Sequence, residues 1–339
     1  MSLNGLKNLT DDAGMFQHSK FSTIDRRMGY ITDDNARALI SALKYHNLYK
    51  DKESITLSEL YLSFLLYMQK PNGSFHNILG FDRSYEDDVG SEDCHGRALW
   101  ACGFAINMGV TEEMKFVAKE IFDRAIPFVK KIVSPRAKAF TVLGLHNYLI
   151  KYPEDQNIKR VIKYFSNSLL RQYQLEVKNN WRWFESYLTY SNARLPQAMF
   201  SVYQSLKQCE LLEVALESLD FLISTQMIDG IFVPIGTKGW YFKGGKRAVY
   251  DQQPIEASCM VETLIQASTI TGIERYKKLI SNVFEWYHGR NTNKVTLYNH
   301  NIGSCYDGIT PEGLNLNQGA ESTLSYYLAF LEGKTKQYF

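Results

Sequence analysis

Apolar residues recur at intervals of three and four along most of this chain, the spacing of helices that bury one face. Between Ser54 and Met68 the stripe is Leu57, Leu60, Tyr61, Phe64, Leu65 and Met68. Between Phe116 and Val129 it is Val117, Ile121, Ala125 and Phe128, and the segments Val161 to Leu170, Leu212 to Ile223 and Tyr276 to Trp286 read similarly. A second kind of segment is small and apolar around most of its circumference, as in Ala98-Leu-Trp-Ala-Cys-Gly-Phe-Ala and Ala257-Ser-Cys-Met-Val-Glu-Thr-Leu. A helix of that kind is buried on most sides. The pattern predicts inner helices over 35–47, 93–108, 135–150, 192–207, 253–271 and 318–332. It predicts outer helices over 54–70, 113–131, 156–175, 209–226 and 273–288, one fewer than the inner set.

Each inner helix opens on a variant of one phrase, a polar start followed by small residues. The copies are Asp34-Asn-Ala-Arg-Ala-Leu, Asp93-Cys-His-Gly-Arg-Ala-Leu, Ser134-Pro-Arg-Ala-Lys-Ala, Ser191-Asn-Ala-Arg-Leu, Asp251-Gln-Gln-Pro-Ile-Glu-Ala and Asn317-Gln-Gly-Ala-Glu-Ser. The long polar residue of each copy, Arg37, Arg97, Arg136, Arg194, Glu256 or Glu321, recurs at steps of roughly 40 to 65 residues, as in an array of diverged helical hairpins. The fold expected is all-α, an (α/α)6 toroid in one domain over 1–339, with 1–25 as an N-terminal extension. The open edge left by the missing outer helix is expected to be covered by that extension, by another domain or by another subunit.

Connections from outer to inner helices are long, except before Pro135, whereas the reverse connections are short. Asn72-Gly73, Asn179-Asn180 and Asp229-Gly230 lie in the long ones, each followed by aromatic residues, and predict short β-hairpins. The long loops therefore gather on one face, at the N-terminal ends of the inner helices. Loops of that length in a compact domain are where function concentrates.

Composition narrows the partners. With 38 basic and 36 acidic residues spread evenly, there is no cationic stripe for nucleic acid or an anionic membrane. No apolar run approaches the ~18 residues of a membrane-spanning helix. Five cysteines without a CxxC pair fit a reducing, cytoplasmic compartment. Aromatic residues make up 14% of the chain, including 22 Tyr, which suits a cleft that stacks on sugar rings.

The alternating hairpins and the Asp- or Gln-rich helix starts resemble the six-hairpin glycosidase superfamily of (α/α)6 toroids, over about residues 22–332. Phe16-Gln-His-Ser, Gly29-Tyr-Ile-Thr-Asp-Asp-Asn-Ala-Arg-Ala-Leu and Asn317-Gln-Gly-Ala-Glu-Ser-Thr-Leu resemble more narrowly a bacterial group often labelled glycosyltransferase. The resemblance implies an oligosaccharide or glycoside substrate and suggests a glycosyltransferase domain or subunit as a partner. This chain itself carries no glycine-rich nucleotide-sugar motif.

Two acidic clusters precede neighbouring inner helices: Asp33 and Asp34 before the first, Asp87, Asp88 and Asp93 before the second. Glycoside cleavage requires one protonated carboxyl and one ionised one. Clustered carboxylates supply this by raising one another's pKa. Asp34, Asp88, Asp87, Asp93, Glu185 and Glu256 are the catalytic candidates. The competing reading makes Asp34, Asp93 and Asp251 helix N-caps, a role for which one Asp suffices. Candidates for binding substrate are Tyr30, Asp33, Arg37, His95, Arg97, Trp181, Trp183, Arg194, Trp240, Tyr250, Gln252, Gln253, His300, Gln318 and Glu321. The competing reading of the Arg ring, with Arg136, is a belt of salt bridges between hairpins. No His/Cys spacing forms a metal site and no nucleotide-binding loop is present, so neither metal nor cofactor is expected. Three functions fit: cleavage or transfer of a glycosidic bond, epimerisation of a sugar through His95 or His300, or sugar binding without turnover.

Overall fold

A computed structural model describes residues 1–339. The six inner helices are α2 (Thr32–Tyr49), α4 (Glu92–Met108), α6 (Pro135–Lys151), α8 (Arg194–Leu206), α10 (Pro254–Thr271) and α12 (Ala320–Thr335). Each contacts the next, and α12 returns to α2, so the ring closes. Five full outer helices surround it: α3 (Glu53–Met68), α5 (Glu112–Ala125), α7 (Gln156–Glu176), α9 (Cys209–Gln226) and α11 (Glu274–Phe284). The α-helical part of α5 stops short of the expected 131. Pro127 lacks an N–H, and the chain tightens into a 3-10 helix over Ile126–Lys131. No helix is long and apolar enough to cross a membrane.

The edge without a full outer helix is covered by the N-terminal segment, which contains a five-residue helix, α1 (Asn4–Asn8), where the sequence pattern predicted none. Leu3, Leu6 and Leu9 are buried against the core. The Tyr327 hydroxyl on α12 accepts from the Gly5 amide at 3.2 Å and donates to the Ser2 carbonyl at 2.6 Å. Further along, Asn35 Oδ1 accepts from the Met15 amide, and Phe16 stacks on Tyr30 with ring centroids 4.3 Å apart. The segment is thus integral to the wall of the ring.

Of the three turn signals, Asp229-Gly230 forms a strand pair, whereas Asn72-Gly73 and Asn179-Asn180 close only single bridges, Gln69 with Phe75 and Lys178 with Trp181. Strands Met227–Ile228 and Ile231–Phe232 pair around Asp229-Gly230, both residues at positive φ. Others tie separate loops together: Tyr30–Ile31 pairs with Ile78–Leu79, and Tyr187–Leu188 with Tyr241–Phe242. The one short outer-to-inner connection leads into α6, which packs most extensively on α4. A Cβ at Gly103 or at Gly144 would collide with backbone of the facing helix, so these two glycines let the backbones touch.

Candidate functional site

Six inner-helix N-termini converge beneath the long loops, and the first turns of α2 and α4 carry the acids. None of Asp34, Asp93 or Asp251 is an N-cap. Ile31 and Gln253 occupy the cap positions of α2 and α10 without side-chain capping bonds, and the Ser91 hydroxyl caps α4. The capping alternative is therefore removed. Asp34 and Asp93 lie inside the first turn, where the helix dipole favours negative charge, and Asp251 precedes the cap of α10.

Three adjoining cavities form one cleft across this face. The most enclosed, about 260 Å³, is lined by Gln17, His18, Asp34, Gln253, Asp307, Asn315, Glu321 and Ser322 among others. Glu321 also lines the open middle cavity, together with Asp33, Glu92, Asp93, Arg97 and Tyr190. Tyr190 continues into the third, with Arg136, Glu185, Tyr187, Trp240 and Phe242.

At the junction of the first two cavities one guanidinium joins two carboxylates. Arg37 Nη2 donates to Asp34 Oδ1 at 2.6 Å and to Glu321 Oε2 at 3.2 Å. Arg37 Nε and Nη1 are buried without a partner, so these two acids carry its compensation. Their environments differ sharply. The Asp34 side chain is 1% exposed and that of Glu321 41%. Burial pushes the Asp34 carboxyl up to about 7, with Glu321 and Asp33 adding to the shift and Arg37 opposing it. Asp33 is raised too, chiefly by burial. Arg97 Nε lies 2.9 Å from Asp33 Oδ1, but its N–H is not aimed at the oxygen, so this is an ion pair without a hydrogen bond. Tyr190 donates to Asp93 Oδ2 at 2.8 Å. Asp307 is raised by burial and accepts from the Gly319 amide and the Ser322 hydroxyl.

Several residues singled out in the sequence lie elsewhere. Asp87 clamps its own loop, its carboxylate accepting from the Asn77 and Ile78 amides at 2.8 to 3.0 Å. Asp88 is exposed and, like Asp87, lines none of the three cavities. Trp181 and Trp183 are core residues rather than a stacking platform; both pack on Phe221, and the Trp181 indole donates to the Glu185 carbonyl. Of the loop tryptophans only Trp240 faces the cleft. Tyr30 is fully buried and donates to Asp11. Gln252 is buried between Trp286 and Thr292, and Tyr250 donates to Asn293. Gln318 binds Asn299 and lies outside the three cavities. His95 packs against Phe75 and Phe128, bonds the Ala125 carbonyl, and is lowered to about 4 by burial. His300 is exposed beside Tyr298. The histidine at the cleft is His18.

Of the Arg ring, Arg136 and Arg194 serve mainly as a belt. Arg136 pairs with Glu185 at 2.6 Å, and Arg194 with Glu262 at 2.5 Å below the cleft floor. Glu256 is directed into the protein, accepting from the Ser191 amide and from Asn192 Nδ2. Replacing Asp87 by Ala is expected to cost about 1–3 kcal/mol, because the Asn77 and Ile78 amides lose their acceptor. Amide exchange at those two positions should quicken; unchanged protection there would remove the clamp role.

Burial raises the Glu256 carboxyl to about 7, with its hydrogen-bond donors opposing. Between roughly pH 4.5 and 7 the native state therefore keeps a proton that the unfolded chain has released. Stability on its account falls as pH rises through this window, by at most about 1.4 kcal/mol per pH unit. The Glu256→Gln variant should show a flatter stability–pH curve in denaturant titrations. An identical slope in variant and parent would contradict the assignment.

Asp307, His18, Gln17, Tyr190 and Glu262 were not singled out in the sequence. Asp307 lies between two short strands, away from any helix-opening phrase, and only a count of loop acids against the cleft could have found it. His18 stood in the quoted Phe16-Gln-His-Ser stretch, but its position near the N-terminus hid its approach to α12.

No protein-family model and no curated protein matches this chain. Solved structures do. It aligns over 97% of its length with 95% of a cellobiose 2-epimerase from Bacillus thermoamylovorans, at a TM-score of 0.75 and 11% identity. A D-mannose isomerase gives the same TM-score and identity, over 99% of this chain and 96% of that one. An inactive α-1,6-mannanase variant from a Salegentibacter species, with Ala in place of two consecutive Asp residues and α-1,6-mannotetrose bound, gives a TM-score of 0.67 and 12% identity over 98% and 97% of the two chains. At these identities the likeness carries the fold. The chain has the (α/α)6 toroid fold of these structures.

Proposed function

We propose that this protein is a carbohydrate-active enzyme that cleaves or transfers a glycosidic bond at the inner-helix N-termini, with Asp34 as general acid and Glu321 as base or nucleophile. The observation that carries this reading is the Asp34–Arg37–Glu321 bridge. It places a buried carboxyl, held protonated up to about pH 7, beside a solvent-facing one. Two carboxyls pushed apart by their surroundings are the usual means of dividing acid and base roles. Because one nitrogen bonds both, their nearest oxygens lie within roughly 6 Å, closer to the ~5–5.5 Å of retaining pairs than to the ~6.5–9.5 Å of inverting ones.

The test is turnover on a panel of α- and β-linked gluco-, manno- and galacto-oligosaccharides, followed by proton NMR of the nascent anomer. Hydrolysis with retention supports the assignment; inversion would exclude Asp34 and Glu321 as the catalytic pair. A second reading, sugar epimerisation, is favoured by His18 and Asp307 lining the same chamber and by the likeness to the epimerase and isomerase. It predicts deuterium incorporation from D2O at a sugar carbon with the glycosidic bond intact. Sugar binding without turnover would instead fit service to a glycosyltransferase partner.

A further inference from the structure

The cleft is asymmetric, and its asymmetry bears on which part of a glycan reacts. The chamber containing Asp34 is walled on three sides. One wall is the N-terminal segment, which crosses from α2 to α12: the Met15 amide donates to Asn35 Oδ1 on α2, and the Ala320 amide on α12 to the Gln17 carbonyl. The short hairpin Ser19–Lys20 with Thr23–Ile24 extends this wall, held at its turn where the Gln318 amide donates to the Phe21 carbonyl and the Phe21 amide to Asn317 Oδ1. A second wall is the hairpin Gly308–Thr310 with Gly313–Asn315, which bridges to Gln252 ahead of α10 and contributes Asn315. The third is Ile31, on the strand that leads into α2.

The remaining side, past Glu321, opens into the wider middle cavity and then onto Tyr187, Tyr190, Trp240 and Phe242. Phe242 is 54% exposed there, with its ring centroid 6.0 Å from that of Tyr187. An exposed aromatic wall suits the faces of successive sugar rings. In this chamber, at whose solvent-exposed rim His18 stands, the side chains of Gln17, His18 and Gln253 make no hydrogen bond to the protein, although each carries donors or acceptors. A polar chamber of free hydrogen-bonding groups is suited to the hydroxyls of one sugar unit.

We infer that the protein acts on the terminal unit of a glycan: one end residue fills this walled chamber, and the rest of the chain leaves over Glu321 toward the aromatic wall. This rests on the proposed glycosidic-bond chemistry. A chain running through the site would have to pass the N-terminal segment, which is fastened to both α2 and α12. Gln17 and His18 then determine end specificity, so this segment belongs to the substrate site as well as to the ring.

The probes are linear gluco-, manno- and galacto-hexaoses, each unmodified, blocked at one end by 2-aminobenzamide or by a 4,6-benzylidene group, and blocked at both ends. Unmodified chains should yield monosaccharide and the chain one unit shorter, and one of the two blocks should lower kcat/KM by at least ~100-fold. Internal fragments from a doubly blocked chain would overturn end specificity while leaving glycosidic cleavage standing. No turnover of any unmodified chain would overturn both readings. The Gln17→Ala/His18→Ala variant should raise KM roughly tenfold or more with little change in melting temperature, the scale of one or two lost hydrogen bonds. An unchanged KM would remove these residues from the site.

Discussion

Replacing Asp34 by Asn, or Glu321 by Gln, is expected to lower kcat by roughly 10²–10⁴-fold, the contribution of a positioned acid or base. Both substitutions keep the shape of the side chain and remove its ability to ionise and to exchange a proton. They differ in their effect on the fold. Glu321 is 41% exposed, so its loss should leave the melting temperature close to the parent value. Asp34 is buried against Arg37 and should cost stability chiefly above pH 7, where its ionised form would otherwise share that buried cation with Glu321. The pH profile separates catalysis from structure. An acid whose pKa is raised to about 7 must hold its proton, so kcat/KM should fall as pH rises above 7 in the parent. The Asp34→Asn variant should lose that alkaline limb. If both variants turn over at parental rates, or if the limb survives in Asp34→Asn, the pair is not the catalytic one.

Replacing Glu262 by Ala should destabilise the ring more than any change at the cleft surface. Glu262 on α10 accepts from Arg194 Nη2 on α8 at 2.5 Å and from Lys44 Nζ on α2 at 3.2 Å, and Lys44 also binds Glu332 on α12 at 2.6 Å. Four inner helices are joined by this buried chain of charges. Removing its central anion leaves Arg194 buried without a countercharge and Lys44 with one partner, a loss of about 3–5 kcal/mol. With an unfolding entropy of ~2.1 cal/mol/K per residue, this lowers the melting temperature by roughly 4–7 °C. A control separates lost attraction from stranded charge. The triple change of Glu262 to Leu, Arg194 to Met and Lys44 to Met should recover most of the loss, since well-packed apolar replacements of buried ion pairs are often neutral. A Glu262→Ala variant melting within a degree of the parent would refute the account.

Helix positions were legible in the sequence because burial on a ring imposes a period. All eleven predicted helices occur, with boundaries mostly within three residues, and the turn at Asp229-Gly230 forms the expected hairpin. The boundary errors have local causes, such as Pro127 converting the end of one outer helix into a 3-10 turn. The five residues of α1 escaped notice because one turn and a half is too short to show a period.

The site was legible only in outline. Alternating small and amphipathic segments determined the toroid, and loop length determined which face carries the chemistry; both follow from regularities along the chain. Only the tertiary structure decided that Asp34 shares Arg37 with Glu321, that Asp87 serves its own loop, and that Trp181 and Trp183 belong to the core. It also decided that His18, near the N-terminus, stands beside the start of the last inner helix. The physical reason is closure of the ring. It brings together residues some three hundred positions apart, and whether a carboxylate meets a cation, an amide or water depends on those distant neighbours.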